Sequence, residues 1–127
     1  MTDKNYTVLL VDDEPDILEL MEEEFVFEGF KTQTATCGNE AIEKIRENKF
    51  DVVVSDYKMP NGNGMVVLNE VNTISEEDRP IFYFVSGQAD ISVQDALDAG
   101  AKKFFSKPFD LDELIQEISA DIEKAKS

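Results

Sequence analysis

The chain has 127 residues, 42% of them apolar, and this length and composition predict one folded domain with its own hydrophobic core. The formal net charge is -16, from 28 acidic and 12 basic residues, which argues against a nucleic-acid partner because its phosphates would be repelled. The absence of histidine excludes chemistry that needs a histidine base, nucleophile or metal ligand within this chain.

The single cysteine, Cys37, cannot form an internal disulfide, which is consistent with a reducing compartment. The N-terminus lacks the basic stretch and apolar segment of a signal peptide, and the longest apolar runs are far too short for a membrane span. We therefore expect a cytoplasmic protein without membrane insertion.

Five short segments are predicted to be β-strands: residues 6–11, 30–36, 51–55, 81–86 and 102–106. The first, third and fourth are nearly continuous apolar runs, as expected for strands covered on both faces of a parallel sheet. The second alternates polar and apolar residues, which predicts an edge strand.

The segments between the strands have the period of amphipathic helices, over residues 14–29, 39–49, 64–74, 91–100 and 110–126. Asp110 is predicted to be the N-cap of the last helix. The apolar side chains predicted to face the core are Ile17, Leu18, Met21, Phe25 and Val26, then Ala41, Ile42 and Ile45, then Val67, Leu68, Val71 and Ile74, then Ile91, Val93 or Gln94, and Leu97, then Leu111, Leu114, Ile115, Ile118 and Ile122.

Five strand–helix units in succession, without a linker or repeat, predict an α/β fold with one doubly wound, five-stranded parallel sheet. The common strand order for such a sheet is 2-1-3-4-5, which makes the first and third strands neighbours. Ligands bind beyond the carboxyl ends of the strands, near the point where the order reverses.

Three carboxylates follow the strands that meet at this point. Asp12 and Asp13 come directly after the first strand, and Asp56 comes directly after the third. Converging carboxylates repel one another and raise each other's pKa, unless a cation such as Mg²⁺ binds between them. The alternative is that Asp13 and Glu14 only cap the first helix. With Asp56 added, the pattern favours a Mg²⁺ site.

Two further polar residues end strands at the same edge of the predicted sheet. Ser86 closes the fourth strand, and Lys107 follows the fifth. Each is unremarkable alone, but together with the carboxylates they suit a phosphoryl group. Lys107 and a cation would neutralise its oxygens, Ser86 would donate a hydrogen bond, and Asp56 could be the nucleophile that forms an aspartyl phosphate.

Four motifs carry a family resemblance: "LLVDDEPD" (9–16), "VVVSDYKMPNGNG" (52–64), "FVSGQ" (84–88) and "FFSKPF" (104–109). Each is weak alone, but together, in this order and at strand ends, they are specific. Over essentially its whole length the chain resembles a response-regulator receiver domain of two-component signalling, with the flavodoxin-like (βα)5 fold. Residues 1–127 are expected to be one receiver domain without an output domain, and for this reason the chain resembles single-domain receivers of the chemotaxis type.

The resemblance implies a role for each matching residue. Asp56 would be the phosphoacceptor, and Asp12 and Asp13 would hold Mg²⁺ together with Asp56 and the backbone carbonyl of Lys58. Ser86 and Lys107 would contact the phosphoryl group, and the Lys107–Pro108 peptide bond would be cis. Phe104 would be the aromatic residue that moves inward with the hydroxyl of Ser86, although core packing is the alternative for Phe104.

The resemblance also implies partners. The phosphoryl donor would be a phosphohistidine on a histidine kinase or phosphotransfer protein, and the fourth helix, fifth strand and fifth helix would present a changed face to a downstream protein target. The domain would assist its own phosphorylation and hydrolysis rather than act as a substrate-converting enzyme. Lys58 and Gln88 would tune the lifetime of the acyl phosphate, and Lys58 is placed to pair with Glu14.

Alternative functions remain. A haloacid-dehalogenase-type phosphatase needs a second Asp two positions after its nucleophile, where this chain has Lys58. A flavodoxin-like cofactor carrier needs a first loop that accepts phosphate, whereas this loop reads "DDEPD". A Walker-type nucleotide motif is absent from the sequence. The remaining rival is a pseudo-receiver that acts as a protein-interaction module without phosphorylation.

Overall fold

The computed structural model describes residues 6–60, 62–87, 92–107 and 109–126. Its sheet contains β1 (Thr7–Val11), β2 (Lys31–Ala35), β3 (Val52–Ser55), β4 (Ile81–Ser86) and β5 (Lys103–Ser106). All neighbouring strands are parallel, and their order is β2-β1-β3-β4-β5. The predicted fold class and strand order are therefore confirmed, and each predicted strand lies within one residue of the observed bounds.

Helices follow each of the strands: α1 (Pro15–Phe27), α2 (Gly38–Glu47), α3 (Gly64–Val71), α4 (Val93–Asp98) and α5 (Leu111–Lys126). Pro15 lies in the first turn of α1, where a missing N–H leaves no intrahelical hydrogen bond unmade. The predicted cap of α5 is present, because Oδ1 of Asp110 accepts a hydrogen bond from the backbone N–H of Glu113 at 3.3 Å.

The core has two layers because successive side chains of a strand point to opposite faces of the sheet. One layer contains Leu9, Val53 and Phe84 and is covered by α2, α3 and α4. The other contains Leu10 and Val54, among others, and is covered by α1 and α5. The strand β2 lies at one edge of the sheet, as predicted, and four of its five residues are not buried. Within the described part of the chain, no helix combines the length and apolarity that crossing a membrane requires.

Three predicted core positions are wrong, namely Val26 in α1 and Val93 and Leu97 in α4. Val26 is 54% exposed, because it is rotated by about 100° from the buried Phe25 on the helix. In α4 the residue that reaches the core is Ala96, which is fully buried, whereas Val93 is 50% and Leu97 38% exposed. The six-residue helix contacts the sheet through this one small side chain, which leaves its larger apolar residues outside. The predicted core position 91 lies outside the described residues.

Candidate functional site

The carboxyl ends of β1 and β3 lie side by side. Val11 is opposite Ser55 in the parallel register, so the next residues, Asp12 and Asp56, leave the sheet together. The backbone N–H of Asp56 donates to the carbonyl of Val11 at 2.9 Å, which continues the ladder by one residue. Both carboxylates are thus placed by strand hydrogen bonds rather than by a flexible loop.

The ends of β4 and β5 are aligned in the same way. Ser86 pairs with Ser106, and the backbone N–H of Lys107 donates to the carbonyl of Ser86 at 2.9 Å. Ser86 is 3% exposed. The sheet therefore brings Ser86 and Lys107 to the edge where the two carboxylates lie.

Lys107 joins the strand ends through its side chain. Its Nζ lies 3.1 Å from Oδ2 of Asp12 and 3.2 Å from Oδ2 of Asp56, and 3.5 Å from Oε1 of Glu14. The lysine side chain is 16% exposed, so little water screens these contacts. One ammonium group therefore bridges residues that are 95 and 51 positions away in the sequence.

The second oxygen of each buried carboxylate accepts a local backbone hydrogen bond. Oδ1 of Asp12 accepts from the N–H of Glu14 at 2.9 Å, and Oδ1 of Asp56 accepts from the N–H of Tyr57 at 2.8 Å. The segment after β3 passes so close to Asp56 that position 64 requires glycine, because a Cβ there would lie 2.4 Å from the carbonyl oxygen of Asp56. The carboxylates are therefore held in one orientation before any ligand binds.

The electrostatic balance of the site favours an added cation. Asp12 is 1% and Asp56 7% exposed, and burial raises the pKa of both carboxyl groups even though backbone hydrogen bonds and Lys107 act to lower it. Burial lowers the pKa of Lys107, but its contacts with Asp12 and Asp56 outweigh burial and raise it. The lysine thus stays charged, yet its single charge does not offset the carboxylates around it.

Asp13 completes a set of oxygen ligands. Asp12, Asp13 and Asp56 each offer a carboxylate oxygen, and these atoms all lie within 4.8 Å of one another. Asp13 is partly exposed, so the set is open to solvent on one side. Hard oxygen donors with access to water suit Mg²⁺, which retains several of its waters when it binds to proteins. The residues present therefore fit the predicted cation.

Phe104 lies on β5 opposite Phe84 of β4, and the two ring centroids are 6.2 Å apart. Its side chain is half-buried against the layer that α2, α3 and α4 cover. This contact is consistent with the alternative that Phe104 is a core residue. The movement of Phe104 stays a prediction.

Sequence reasoning misplaced one ion pair. Glu14 was expected to pair with Lys58, but among the ion pairs of the described residues its carboxylate contacts Lys107 instead. Lys107 reaches Glu14 from the centre of the site, with its Nζ 3.5 Å from Oε1 of Glu14. The predictions for Gln88 and for the Lys107–Pro108 bond fall on residues outside the described part of the chain.

The chain is similar to proteins of a known family. The family described as the response regulator receiver domain matches residues 8–119. Sporulation initiation phosphotransferase F of Bacillus subtilis is 34% identical over 110 residues, which are 87% of this chain and 88% of that protein.

One further relative is a longer protein, and another is a solved structure. The response regulator SaeR of Staphylococcus aureus is 35% identical over 112 residues, and this chain spans about half the length of SaeR, 48%. The structure of the response regulator TrrA of Thermotoga maritima in complex with Mg²⁺-BeF has a TM-score of 0.79 and 30% identity, and covers 91% of this chain and 97% of TrrA. The match over residues 8–119, together with the aligned strand ends, shows that the chain belongs to the response regulator receiver domain family.

Proposed function

We propose that the chain accepts a phosphoryl group on Asp56 from a phosphohistidine of a histidine kinase or phosphotransfer protein, and that the modified domain changes conformation and regulates a protein target. The observation that carries this proposal is the position of Lys107, whose Nζ lies within 3.2 Å of carboxylate oxygens from two different strands. A partly buried ammonium group beside a buried carboxylate is suited to neutralise the oxygens of an incoming phosphoryl group.

The transfer step would form a bond between a carboxylate oxygen of Asp56 and phosphorus, and would break the bond between phosphorus and the imidazole nitrogen of the donor. The electron pair of the broken bond would remain on the donor nitrogen. The hydrogen bond from Tyr57 to Asp56 supports this role because it fixes the carboxylate before the donor arrives. Lys107 would then balance the charge of the acyl phosphate, and the hydroxyl of Ser86 would donate to one of its oxygens.

Asp12, Asp13 and Asp56 would hold Mg²⁺ together with the backbone carbonyl of Lys58. The spacing of the three carboxylates and the uncompensated charge around Lys107 support this assignment, and the related TrrA was crystallised with Mg²⁺-BeF. When bound, the cation supplies positive charge to the phosphoryl oxygens. The residues of this chain orient the acceptor and exclude most of the surrounding water.

Conformational switching would follow from the same strand ends. Ser86 and Phe104 lie on the neighbouring strands β4 and β5, so a movement of Ser86 toward the phosphoryl group would open space beside Phe104. The surface of α4, β5 and α5 would then differ between the two states, and its target would bind one state in preference. The domain would not be an enzyme, since its chemistry would be its own phosphorylation and hydrolysis.

The decisive experiment is intact-mass spectrometry after incubation with acetyl phosphate, with and without Mg²⁺. We expect one phosphate adduct that requires Mg²⁺ and is absent from Asp56→Asn. Asp51→Asn is the matched control, because Asp51 precedes the same strand at its opposite end. The control should be phosphorylated like the wild type.

The same experiment distinguishes the alternative function. A wild type that gains no phosphate from acetyl phosphate or from a phosphorylated kinase would favour a pseudo-receiver that acts as a protein-interaction module. A location in the cytoplasm is part of the proposal.

Lys58 provides a test of the rim of the site. We expect Lys58→Ala to be phosphorylated normally and to have a changed phosphoryl lifetime, since the exposed side chain of Lys58 lies two positions from Asp56, where water would approach. The rate of phosphate loss after removal of the donor measures this effect. Equal rates for the variant and the wild type would show that Lys58 has no such role.

A further inference from the structure

A groove of about 700 Å³ lies between the C-terminal part of α1 and the length of α5. Its lining includes Phe27 from α1 and Ile115 from α5, with acidic side chains around them. None of its lining residues belongs to the carboxylate site described above. The groove is therefore a separate surface of the domain.

The charged side chains that line this groove are all acidic. Its charged lining residues are Glu24 and Glu28 at the end of α1, and Asp112 and Glu123 on α5. The chain between β1 and β2 contributes to this bias, because it carries no basic residue from position 12 to position 30. Its acidic residues are Asp12, Asp13, Glu14, Asp16, Glu19, Glu22, Glu23, Glu24 and Glu28. The groove thus attracts cationic groups and repels anionic ones.

The carboxylates at the end of α1 lie at the C-terminus of the helix, where negative charge is unfavourable. Glu24 is in the last turn, Glu28 is the C-cap residue, and the last turn has no basic residue. The C-terminus of a helix has a partial negative charge, so cations stabilise it and carboxylates destabilise it. An external ammonium or guanidinium group would offset both the carboxylates and the helix end.

The same helix end exposes an aromatic side chain. Phe27 is 73% exposed, whereas Ile115 in the groove is 3% exposed and forms part of its floor. An exposed aromatic ring beside an apolar floor and a charged rim has the composition of a protein-binding surface. Phe27 is therefore placed to be the apolar anchor of a contact.

We infer that this groove, which we call the α1–α5 groove, binds a basic amphipathic helix of a partner protein. Apolar side chains of that helix pack on Phe27 and Ile115, and its lysines or arginines face the acidic rim. The groove follows α5 from Asp112 to Glu123, a rise of roughly 16 Å, which matches about three turns of a bound helix.

Charge complementarity selects this occupant over others. A second copy of the chain would bring a surface of net charge -16 against an identical one, and a symmetric contact would oppose acid to acid. Nucleic acid and anionic lipid are disfavoured by the same repulsion. A basic helix is attracted to the rim and covers the exposed ring.

The test uses a synthetic helical peptide of about 14 residues that carries a leucine stripe, a lysine face and one tryptophan. The protein contains no tryptophan, so the fluorescence of the peptide reports binding without background from the protein. Chemical-shift mapping of the ¹⁵N-labelled protein locates the contact. We expect saturable binding at physiological salt, with the largest shifts at the end of α1 and along α5.

Matched variants distinguish binding of the peptide in the groove from general charge attraction. Phe27→Ala and the double variant Glu24→Gln/Glu28→Gln should each weaken binding by about tenfold, because they remove the anchor and the rim. Val26→Ala is the control for the first, since Val26 is exposed next to Phe27 but does not line the groove. Glu76→Gln/Glu77→Gln removes the same charge elsewhere and should leave the affinity within about twofold.

Three results would overturn the inference. The first is absence of binding, and the second is an equal loss of affinity in the Glu76→Gln/Glu77→Gln variant, which would indicate non-specific attraction. The third is concentration-dependent self-association in sedimentation velocity that Phe27→Ala abolishes, which would make the groove a dimer contact. The experiment uses unphosphorylated protein, so its outcome is separate from that of the phosphoryl-transfer experiment.

Discussion

Two lysines four residues apart bridge carboxylates in different ways. Nζ of Lys107 contacts Asp12 and Asp56, which come from the ends of β1 and β3. Nζ of Lys103, on β5, lies 2.9 Å from Oε1 of Glu117 and 3.1 Å from Oδ2 of Asp121, both on α5. The first cluster joins three strand ends, and the second attaches one helix to the sheet.

The clusters differ in how well hydrogen-bond donors and cations stabilise their ionised carboxylates. The hydroxyl of buried Tyr83 donates to Asp121 at 2.8 Å, so Asp121 has both a cation and a neutral donor. Burial acts to raise the pKa of Asp121, but Tyr83 and Lys103 outweigh it and lower that pKa. Burial instead prevails at Asp12 and Asp56 and raises their pKa. The lowered pKa of Asp121 indicates that its cluster stabilises the carboxylate without a further cation. The raised pKa of Asp12 and Asp56 indicates that their cluster still favours an added cation.

The largest expected effect comes from removing each lysine in turn. Lys107→Met should slow phosphorylation by acetyl phosphate by about 100-fold, the usual effect of removing one group that neutralises charge in a transition state. Lys103→Met should change the rate by less than about threefold, because among the described residues Lys103 forms its ion pairs with Glu117 and Asp121 on α5 rather than with the carboxylates of the site. Adduct formation followed by intact-mass spectrometry gives both rates. Similar rates for the two variants would remove the functional distinction between the lysines.

Neutralising one carboxylate of each cluster should change stability in opposite directions. A raised folded-state pKa means that the ionised form is disfavoured by folding, so Asp56→Asn should be more stable than the wild type at pH 7, by on the order of 1 kcal/mol. A lowered pKa means that ionisation favours folding, so Asp121→Asn should be less stable by about 1–2 kcal/mol. Urea denaturation at pH 7 measures both differences.

The pH dependence of these differences gives a second readout. The gain in Asp56→Asn should shrink as the pH falls toward about 4, because the wild-type carboxyl group becomes protonated in the folded state first. The loss in Asp121→Asn should begin to shrink only below about pH 4, as the pH approaches the lowered folded-state pKa. Differences of the same sign at pH 7 would contradict the comparison.

The site could be predicted from the sequence because it is built at strand ends. A polar residue after an apolar run marks the carboxyl end of a strand, and the strand order then decides which ends are neighbours. Asp12 and Asp56 needed only this information to be placed together, and so did Ser86 and Lys107. The bounds of β1, β3 and β4 were recovered because continuous apolar runs identify buried parallel strands.

The α5 cluster could not be predicted because nothing in the local sequence links its members. Tyr83 looked like one more apolar residue of a buried strand, and Asp121 lies 38 residues further on, within an amphipathic helix. The exposed side chains of α4 were missed for a related reason. A helical period shows which residues share a face, but not that the small Ala96 provides the contact in place of Leu97.

A divalent cation should stabilise the first cluster and leave the second unaffected. Mg²⁺ that binds only the folded state at ten times its Kd should raise the free energy of unfolding by about 1.4 kcal/mol. Asp13→Asn should lose most of this increase, because Asp13 offers one of the three clustered carboxylate oxygens. Lys103→Met should retain it. Thermal unfolding with and without Mg²⁺ tests this, and an increase that persists in Asp13→Asn would place the cation elsewhere.

Removal of a third lysine, Lys49, has the smallest expected effect. It tests whether burial of the ion pairs causes the larger effects expected for the other two clusters. Nζ of Lys49 lies 3.0 Å from Oδ1 of Asp78, as close as the contacts of Lys107, but the two side chains are 75% and 57% exposed. Water screens such a pair and holding two mobile side chains together is unfavourable, so Lys49→Met should leave the urea midpoint unchanged within error. The side chains of Lys107 and Lys103 are 16% and 35% exposed. If Lys49→Met lowered the urea midpoint as much as Asp121→Asn, contact distance rather than burial would govern the strength of these ion pairs.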